Sequence, residues 1–429
     1  MRFVVDLAYL VTALLTLPIW LVSLVKSGKI FTDWAARLGV RVPALSPRMT
    51  GTVTRPRILI HAVSVGEVNA IRYLVDELAS GALRAEIIIS VTTNTGIARA
   101  HSLFDARHTV VRAPFDLSWG TQRFLAAVHP DLVLLMELEL WPNFTSLCEK
   151  RCIPVAVVNG RLSARSFARS KRVRWLLSPM FRRLTHVCAQ DRTYAERFAA
   201  MGVDPARITV TGTMKWDTAE IADSVDGADA LAREMGIDRA KPLVVAGSTA
   251  PGEEALIHAA VGDRVQLLCA PRKPEWFAQA AAALPGAVRR SEGRQGSATG
   301  RFVLDTIGEL RKAYALADLV VLGRTFGTLH GSDMMEPAAL GKVVIVGPRV
   351  DDFQTTADAL LAAGGLVQCS AQDVATTIAE LLAAPDRRRT IAAAAREVVA
   401  REQGASAANA RVAERLLAPL GSRCDGSAQ

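Results

Sequence analysis

Apolar positions along this chain fall into three patterns. The first is one long run: Leu7 to Val25 (LAYLVTALLTLPIWLVSLV) carries no charge and is bounded by Asp6 and by Lys26 and Lys29. About 20 helical residues cross a hydrocarbon core, so this run predicts an anchor helix within residues 1–30. A helix buried in the protein or lying in the interface is the alternative, particularly with Pro18 inside the run. A cleavable signal fits less well, because the run is long and no small-x-small site follows it. Only Arg2 precedes the run, whereas Lys26, Lys29, Arg37 and Arg41 follow it. That asymmetry predicts that the body of the protein stays on the cytoplasmic side of the membrane.

The second pattern is a series of short β-branched runs, and the third is the helical spacing that separates them. Ile58–Val63, Glu86–Thr92, Leu132–Met136, Val155–Asn159, His186–Ala189 and Ile208–Thr211 read as strands. Helices such as Glu67–Leu78 and Thr193–Met201 fill the gaps. Continuous apolar strands alternating with helices predict a parallel sheet covered on both faces. Asp217–Lys241 interrupts the rhythm with acidic, Ala- and Gly-containing sequence. It restarts with Leu243–Ala246, Val265–Cys269, Phe302–Leu304, Leu319–Leu322 and Val343–Val346. Val374–Leu417 reads as two helices broken near Pro385. The fold class is therefore α/β: two facing, doubly wound Rossmann-like domains of residues 31–220 and 242–429, joined by residues 221–241, with ligands expected at strand C-terminal ends.

Composition narrows the partners. The net charge of +9 favours phosphorylated substrates or anionic lipid. Nucleic acid is the weakest candidate, since aromatics are only 6% and no finger or RNA-binding signature occurs. The six cysteines include no CxxC, and Cys148 and Cys152 have no companion pair, so neither zinc nor another metal is expected. Free thiols in apolar runs suit a reducing compartment. No cofactor motif is found; in particular no GxGxxG follows a strand, which excludes an NAD-type dehydrogenase.

Polar chemistry recurs where a strand meets a helix. In ILIHAVSVGE, Glu67 opens a helix, either complementing its dipole or projecting as a general base. LVLLMELELWPN ends an apolar strand in Glu137 and Glu139, which alternation points the same way. They serve either an active site or salt bridges to nearby arginines. Arg161–Arg183 carries eight basic residues and no acidic one, interleaved with Phe167, Trp175, Leu176 and Leu177. This mixture suits either a solvated face or a surface that meets anionic lipid. LVVAGSTAPGEE makes a strand, a Gly247-Ser248-Thr249 turn and a helix start, where backbone N–H groups hold an anion or simply begin a capped helix. Pro271-Arg272-Lys273, Asp305-Thr306-Ile307-Gly308-Glu309 and Gly323–Pro348 mark further strand ends.

Taken together, the anchor with HAVSVGE, MELELWPN, NGRLSARS, TGTMKWD, AGSTAPGEE, APRKPEW, DTIGEL and EPAALGKVVIVGP resembles the Kdo (3-deoxy-D-manno-octulosonic acid) transferase family of lipopolysaccharide assembly, over nearly the whole chain. The resemblance implies a GT-B fold, CMP-Kdo as donor, a phosphorylated, acylated lipid A precursor as acceptor, and inverting, metal-independent transfer. It implies that Glu67 is the catalytic base and that Glu137 and Lys215 stabilise the transition state. It assigns CMP binding to Pro271 and Arg272, to Ile307, Gly308 and Glu309, and to Asp333, Met334, Met335 and Glu336. The family usually reads GGHNPLEP where this chain has His330-Gly331-Ser332-Asp333-Met334-Met335-Glu336-Pro337. An Asp beside a phosphate needs a partner, for which Arg324 and His330 are candidates. The rival readings are a GT-B lipid glycosyltransferase using a UDP-sugar and a non-catalytic lipid-binding relative.

Overall fold

The computed structural model describes residues 5–16, 32–45, 55–293 and 296–418. These form two compact units. One holds the described residues up to Thr218 and those from Gln403 onward; the other is Ala219–Glu402. The helix Ala405–Leu417, which the sequence pattern places with the second domain, therefore belongs to the first. Its Ala405, Ala410, Ala413 and Leu417 pack with Ile58, Ile60 and Leu74 in one core, while Leu59 faces a second core around Phe124, Phe181 and Phe198. Burial on both faces is what the continuous apolar strands demand.

The strands of the first unit are β1 (Arg57–Ala62), β2 (Glu86–Val91), β3 (Thr109–Arg112), β4 (Leu132–Met136), β5 (Val155–Gly160), β6 (His186–Ala189) and β7 (Ile208–Val210). All pair in parallel, in the order β3-β2-β1-β4-β5-β6-β7. The second unit has β8 (Leu243–Thr249), β9 (Gln266–Pro271), β10 (Val288–Arg289), β11 (Arg301–Val303), β12 (Leu319–Leu322), β13 (Val343–Val346) and β14 (Val367–Gln368). Its parallel order is β10-β11-β9-β8-β12-β13-β14. Strand order reverses between β1 and β4 in one sheet and between β8 and β12 in the other. Open α/β sheets bind ligands at such switch points.

Several expectations change in detail. β3, β10 and β14 escaped the sequence pattern because they are short and lie at or next to sheet edges. The expected helix Glu67–Leu78 is two helices, Val65–Ala70 and Arg72–Ser80, meeting at Ile71. The C-terminal stretch breaks at Pro385 as expected, but again at Gly404, whose φ of 104° ends the long helix Pro385–Glu402. Asp217–Lys241 is structured: Ala228–Met235 is a helix that packs on Leu310–Leu316.

Of the anchor, residues 5–16 are helical, and the remainder up to Val25 lies outside the described residues. Among the described residues no helix is long and apolar enough to cross a membrane. The helix is tied to the first unit by polar groups. Asp6 accepts from Ser118 N and Asn143 Nδ2, each at 2.9 Å, and the Tyr9 hydroxyl donates to Asp116 at 3.1 Å. Leu7, Leu14 and Leu15 remain more than half exposed.

Candidate functional site

The first cluster sits at the β1/β4 switch point. After β1 the chain turns at Ser64, whose hydroxyl caps the helix Val65–Ala70 by accepting from Glu67 N at 3.3 Å. Glu67 folds back in return: its carboxylate accepts from Val63 N and from the Ser64 hydroxyl, both at 2.9 Å. This reciprocal cap satisfies helix-end donors and fixes the side-chain rotamer. The dipole-complementing reading is therefore correct as far as it goes, yet the carboxylate is only half-buried. Burial pushes its pKa up, the two hydrogen bonds pull it back, and the charge of Glu137 raises it again.

Glu137 reaches that position by a different route from the expected strand alternation. β4 ends at Met136, and Glu137 takes a left-handed backbone with φ 54°. Glu139 N then bonds back to Met136 O at 3.3 Å, so the two glutamates stand on a tight turn. Glu139 receives the Trp141 indole N–H at 3.2 Å. Burial raises Glu139 to about 7, aided by Glu67 and Glu137 and opposed by the Trp141 bond. Three carboxylates thus converge at one strand-end, with Arg161 supplying positive charge near Glu137 and Tyr194.

A second left-handed residue, Asn159 at the end of β5, shapes the neighbouring loop. Its buried side chain accepts from Met214 N at 3.0 Å, anchoring the turn that carries Lys215. The following Trp216–Thr218 turn packs against the Val65–Ala70 helix that carries Glu67, and half-buried Lys215 immediately precedes that turn.

The cluster carries a stability cost that can be measured. With its folded pKa raised above the ordinary carboxylate value, Glu139 favours the fold when protonated. That contribution is full below about pH 4.5 and is lost as pH rises through about 7. Glu139→Gln, permanently neutral, should stabilise the first unit at pH 8 by about 1–2 kcal/mol, allowing for partial solvent screening. The gain shrinks below pH 7 and vanishes near pH 4. Thermal unfolding at both extremes checks this, and equal midpoints at pH 8 would refute it.

The second unit builds its own switch-point site. A Cβ on Gly323, after β12, would overlap the Thr249 backbone at the end of β8, so only glycine lets these strand ends approach. Glu253 bridges them. One carboxylate oxygen accepts from Thr325 N and Phe326 N, both at 3.0 Å; the other accepts from Ala250 N at 2.9 Å and Arg324 N at 2.6 Å. The Gly247-Ser248-Thr249 turn thus leads into an amide that the chain's own carboxylate already holds. Neighbouring Glu254 is buried, accepts from the Thr249 hydroxyl at 2.6 Å, and is raised by burial.

Around this bridge stand most of the expected donor residues. Pro271 ends β9, and the exposed Arg272 follows it, its N–H bonded to Thr249 O at 3.0 Å. Tyr314 is fully buried; burial pushes its phenol up, Glu336 and Asp333 push it further, and Ser248 and Arg272 oppose them. These five residues share one neighbourhood. Glu336 is itself raised by burial, then by Asp333, and lowered by Arg311. Asp333 accepts from Met335 N at 2.8 Å, at the first residue of the helix Met335–Ala339. Met334 and Met335 are buried in the core, backbone and side chain alike, so neither offers a surface that a ligand could touch as the structure stands. Ile307 is 74% exposed beside Gly308 (φ 94°), while Glu309 is held by Thr306 at 2.6 Å and Arg290 at 3.1 Å. These bonds keep Glu309 below the usual carboxylate range despite burial, so it holds the loop on which Ile307 and Gly308 are displayed.

Sequence reasoning left Trp141, Arg161 and Tyr314 out of the site, and considered Ser248 only as part of a turn. Arg161 follows directly on Asn159-Gly160, and Trp141 stands two residues after Glu139, so proximity in sequence was the available signal. Tyr314 had none. Among the described residues no group of three or more His, Cys, Asp or Glu is placed to hold a metal ion.

Comparison with known proteins sets these two clusters in context. Residues 32–218 match the family described as 3-Deoxy-D-manno-octulosonic-acid transferase (kdotransferase). The chain is 32% identical to the 3-deoxy-D-manno-octulosonic acid transferase of Bordetella pertussis, over 90% of this chain and 94% of that protein. It is 30% identical to the Haemophilus influenzae protein of the same name, over 89% and 90%. Among solved structures, a UDP-N-acetylglucosamine 2-epimerase matches with a TM-score of 0.56 and 14% identity, over 87% of this chain and 98% of the other. The Neisseria meningitidis UDP-GlcNAc 2-epimerase matches with 0.53 and 13%, over 84% and 100%. At such identity the likeness is one of fold: two Rossmann-like domains, GT-B-like.

Proposed function

Because the chain belongs to the 3-deoxy-D-manno-octulosonic acid transferase family, a glycosyltransferase family of lipopolysaccharide biosynthesis, we propose that it moves Kdo from CMP-Kdo onto a lipid A precursor. The observation that carries the reading is the convergence of Glu67, Glu137 and Glu139 at the switch point of the first sheet. In this reading the acceptor hydroxyl attacks the anomeric carbon of Kdo. The new C–O bond forms as the bond to the CMP phosphate breaks, with inversion. Glu67 takes the hydroxyl proton; a half-buried carboxylate of raised pKa suits a general base better than a fully solvated one. Glu137 faces the oxocarbenium-like charge that develops on the sugar, and Lys215 supports the same transition state.

The donor side is read from the second unit. Arg272 neutralises the departing phosphate, the exposed backbone at Ile307 and Gly308 borders the nucleotide, and Glu336 accepts from ribose hydroxyls. Asp333 acts through its bond to Met335 N at the start of the Met335–Ala339 helix, with Met334 and Met335 holding that segment in the core. The helices Ala164–Arg172 and Arg174–Arg182 expose Arg165, Arg169, Lys171, Arg172 and Arg174 beside Trp175, which is 79% exposed, and Leu176. A basic surface with apolar side chains suits attachment to the anionic inner membrane, facing the cytoplasm, where a lipid acceptor resides.

The test is transfer from CMP-Kdo to the tetra-acylated, bisphosphorylated lipid A precursor by detergent-solubilised protein, read by mass spectrometry. A mass increase of one or more Kdo units is expected. No transfer by folded protein that instead consumes a UDP-sugar would overturn the assignment.

A further inference from the structure

Two cavities in the first unit lie beside the carboxylate turn. The inner one, about 170 Å³, is walled by His61, Phe115, Phe124, Leu135, Trp141 and Phe144. The outer one, about 500 Å³, opens between the 5–16 helix and the domain, against Leu10, Ala13, Trp34, Leu38, Phe115 and Trp141. Phe115, Asp116 and Trp141 border both. The inner volume alone matches a dry apolar cavity of about 150 Å³ that accepts a benzene-sized guest. The two titratable groups in its wall, His61 and Asp116, are hydrogen-bonded. His61 is held uncharged, burial pushing it down to about 4, and it shares a 2.7 Å hydrogen bond with Ser90. Asp116 turns its carboxylate onto Asn143 N, Phe144 N and the Tyr9 hydroxyl.

We infer that these cavities form a slot for one acyl chain of the acceptor lipid. The inference rests on the acceptor being an acylated lipid, as proposed above. Three observations point the same way. Trp141 carries its ring along both cavities while its N–H is bonded to Glu139, so the slot begins at the carboxylates where the acceptor's sugar would sit. The outer cavity is covered by a helix whose Leu7, Leu10, Leu14 and Leu15 stay largely exposed, so its far end meets a surface suited to lipid. Finally, Asp116, the carboxylate that lines both cavities, has its oxygens taken up by Asn143 N, Phe144 N and the Tyr9 hydroxyl. A chain entering from the membrane side would run past Phe115 and fix the distance between the acyl glucosamine and Glu67.

The experiment uses the full-length protein in detergent below its critical micelle concentration, with a fluorescent long-chain fatty acid as probe. Wild type should bind the probe at one site, and an acylated glucosamine phosphate should displace it at least about tenfold more effectively than phosphatidylglycerol. Ala13→Trp, which fills the outer cavity, should lose probe binding. It should also raise KM for a long-chain acceptor by about tenfold without changing kcat, and leave a deacylated acceptor unaffected. Leu10→Asp gives a second blocked slot should Ala13→Trp fail to fold. Equal displacement by phosphatidylglycerol, or unchanged long-chain KM in both folded variants, would overturn the slot. Probe binding without Kdo transfer would keep the slot and discard the transfer reaction; transfer without probe binding would do the reverse.

Discussion

Replacing Glu67 by glutamine should lower transfer by about 10²–10⁴-fold with little change in stability. Glutamine is the informative choice because its carbonyl oxygen still accepts from Val63 N or the Ser64 hydroxyl, so the cap on the Val65–Ala70 helix survives. Alanine would keep the Ser64 cap on the Glu67 backbone N–H but remove both reciprocal bonds to the carboxylate, at a cost of about 1 kcal/mol, mixing two effects. A base acting in the chemical step is lost from kcat; a residue that merely positions the loop is lost mainly from KM. The measurement is kcat and KM for both substrates, alongside the unfolding midpoint. A Glu67→Gln protein that keeps more than a tenth of wild-type kcat would remove Glu67 from the role of base.

The same carboxylate predicts the acid limb of the pH profile. Burial and Glu137 hold Glu67 above the ordinary carboxylate pKa, so the unprotonated base is lost at a higher pH than for a solvated glutamate. Activity should therefore fall on acidification before a typical exposed carboxylate titrates. Neutralising Glu137 removes one of the raising causes, and the residual activity of Glu137→Gln should have its limb moved to lower pH.

What the sequence made legible follows from which physical terms are local. Continuous apolar runs reveal parallel strands because burial on both faces leaves no polar positions, and eleven of the strands could be read this way. Glu67 could be located because a capped helix start has a local signature in Ser64 and Glu67. The placing of Glu137 and Glu139 on strand alternation failed, although both were recognised. Left-handed geometry at Glu137 depends on neighbouring strands, and a Glu in that region has no marker of its own, whereas Asn159, followed by Gly160, is a residue type that favours it. Tyr314 was invisible for a similar reason: its role rests on meeting Ser248 and Glu336 across the fold. The C-terminal helix shows the limit for domains. Its apolar stripe announces that it must pack, but whether it packs on Ile58 and Leu74 or on the second sheet is decided by the return of the chain after Glu402.

Glu253→Ala should be the most destabilising single change in the second unit, at about 3 kcal/mol or more. The sequence suggests only a carboxylate at a helix start, a feature normally worth about 0.3–1 kcal/mol. In the structure one side chain that is 5% exposed satisfies four backbone amides drawn from the ends of two strands. Each buried donor left without a partner costs about 1–3 kcal/mol. The bridge also holds Arg324 (φ 62°), near Ser248 (φ 57°), in a left-handed backbone that costs about 1–2 kcal/mol per residue. Removing it frees the turn from Gly323 to Phe326 to relax. Glu253→Gln should be nearly as damaging, because its amide nitrogen would meet amide donors where an oxygen is required. Chemical denaturation should show both losses, and hydrogen exchange should accelerate at Ala250, Arg324, Thr325 and Phe326 ahead of the β8 core. Since Arg272 N rests on Thr249 O at the same corner, CMP affinity should fall along with stability. A Glu253→Gln protein with wild-type denaturation and slow exchange at those amides would mean that the bridge is not what joins β8 to β12.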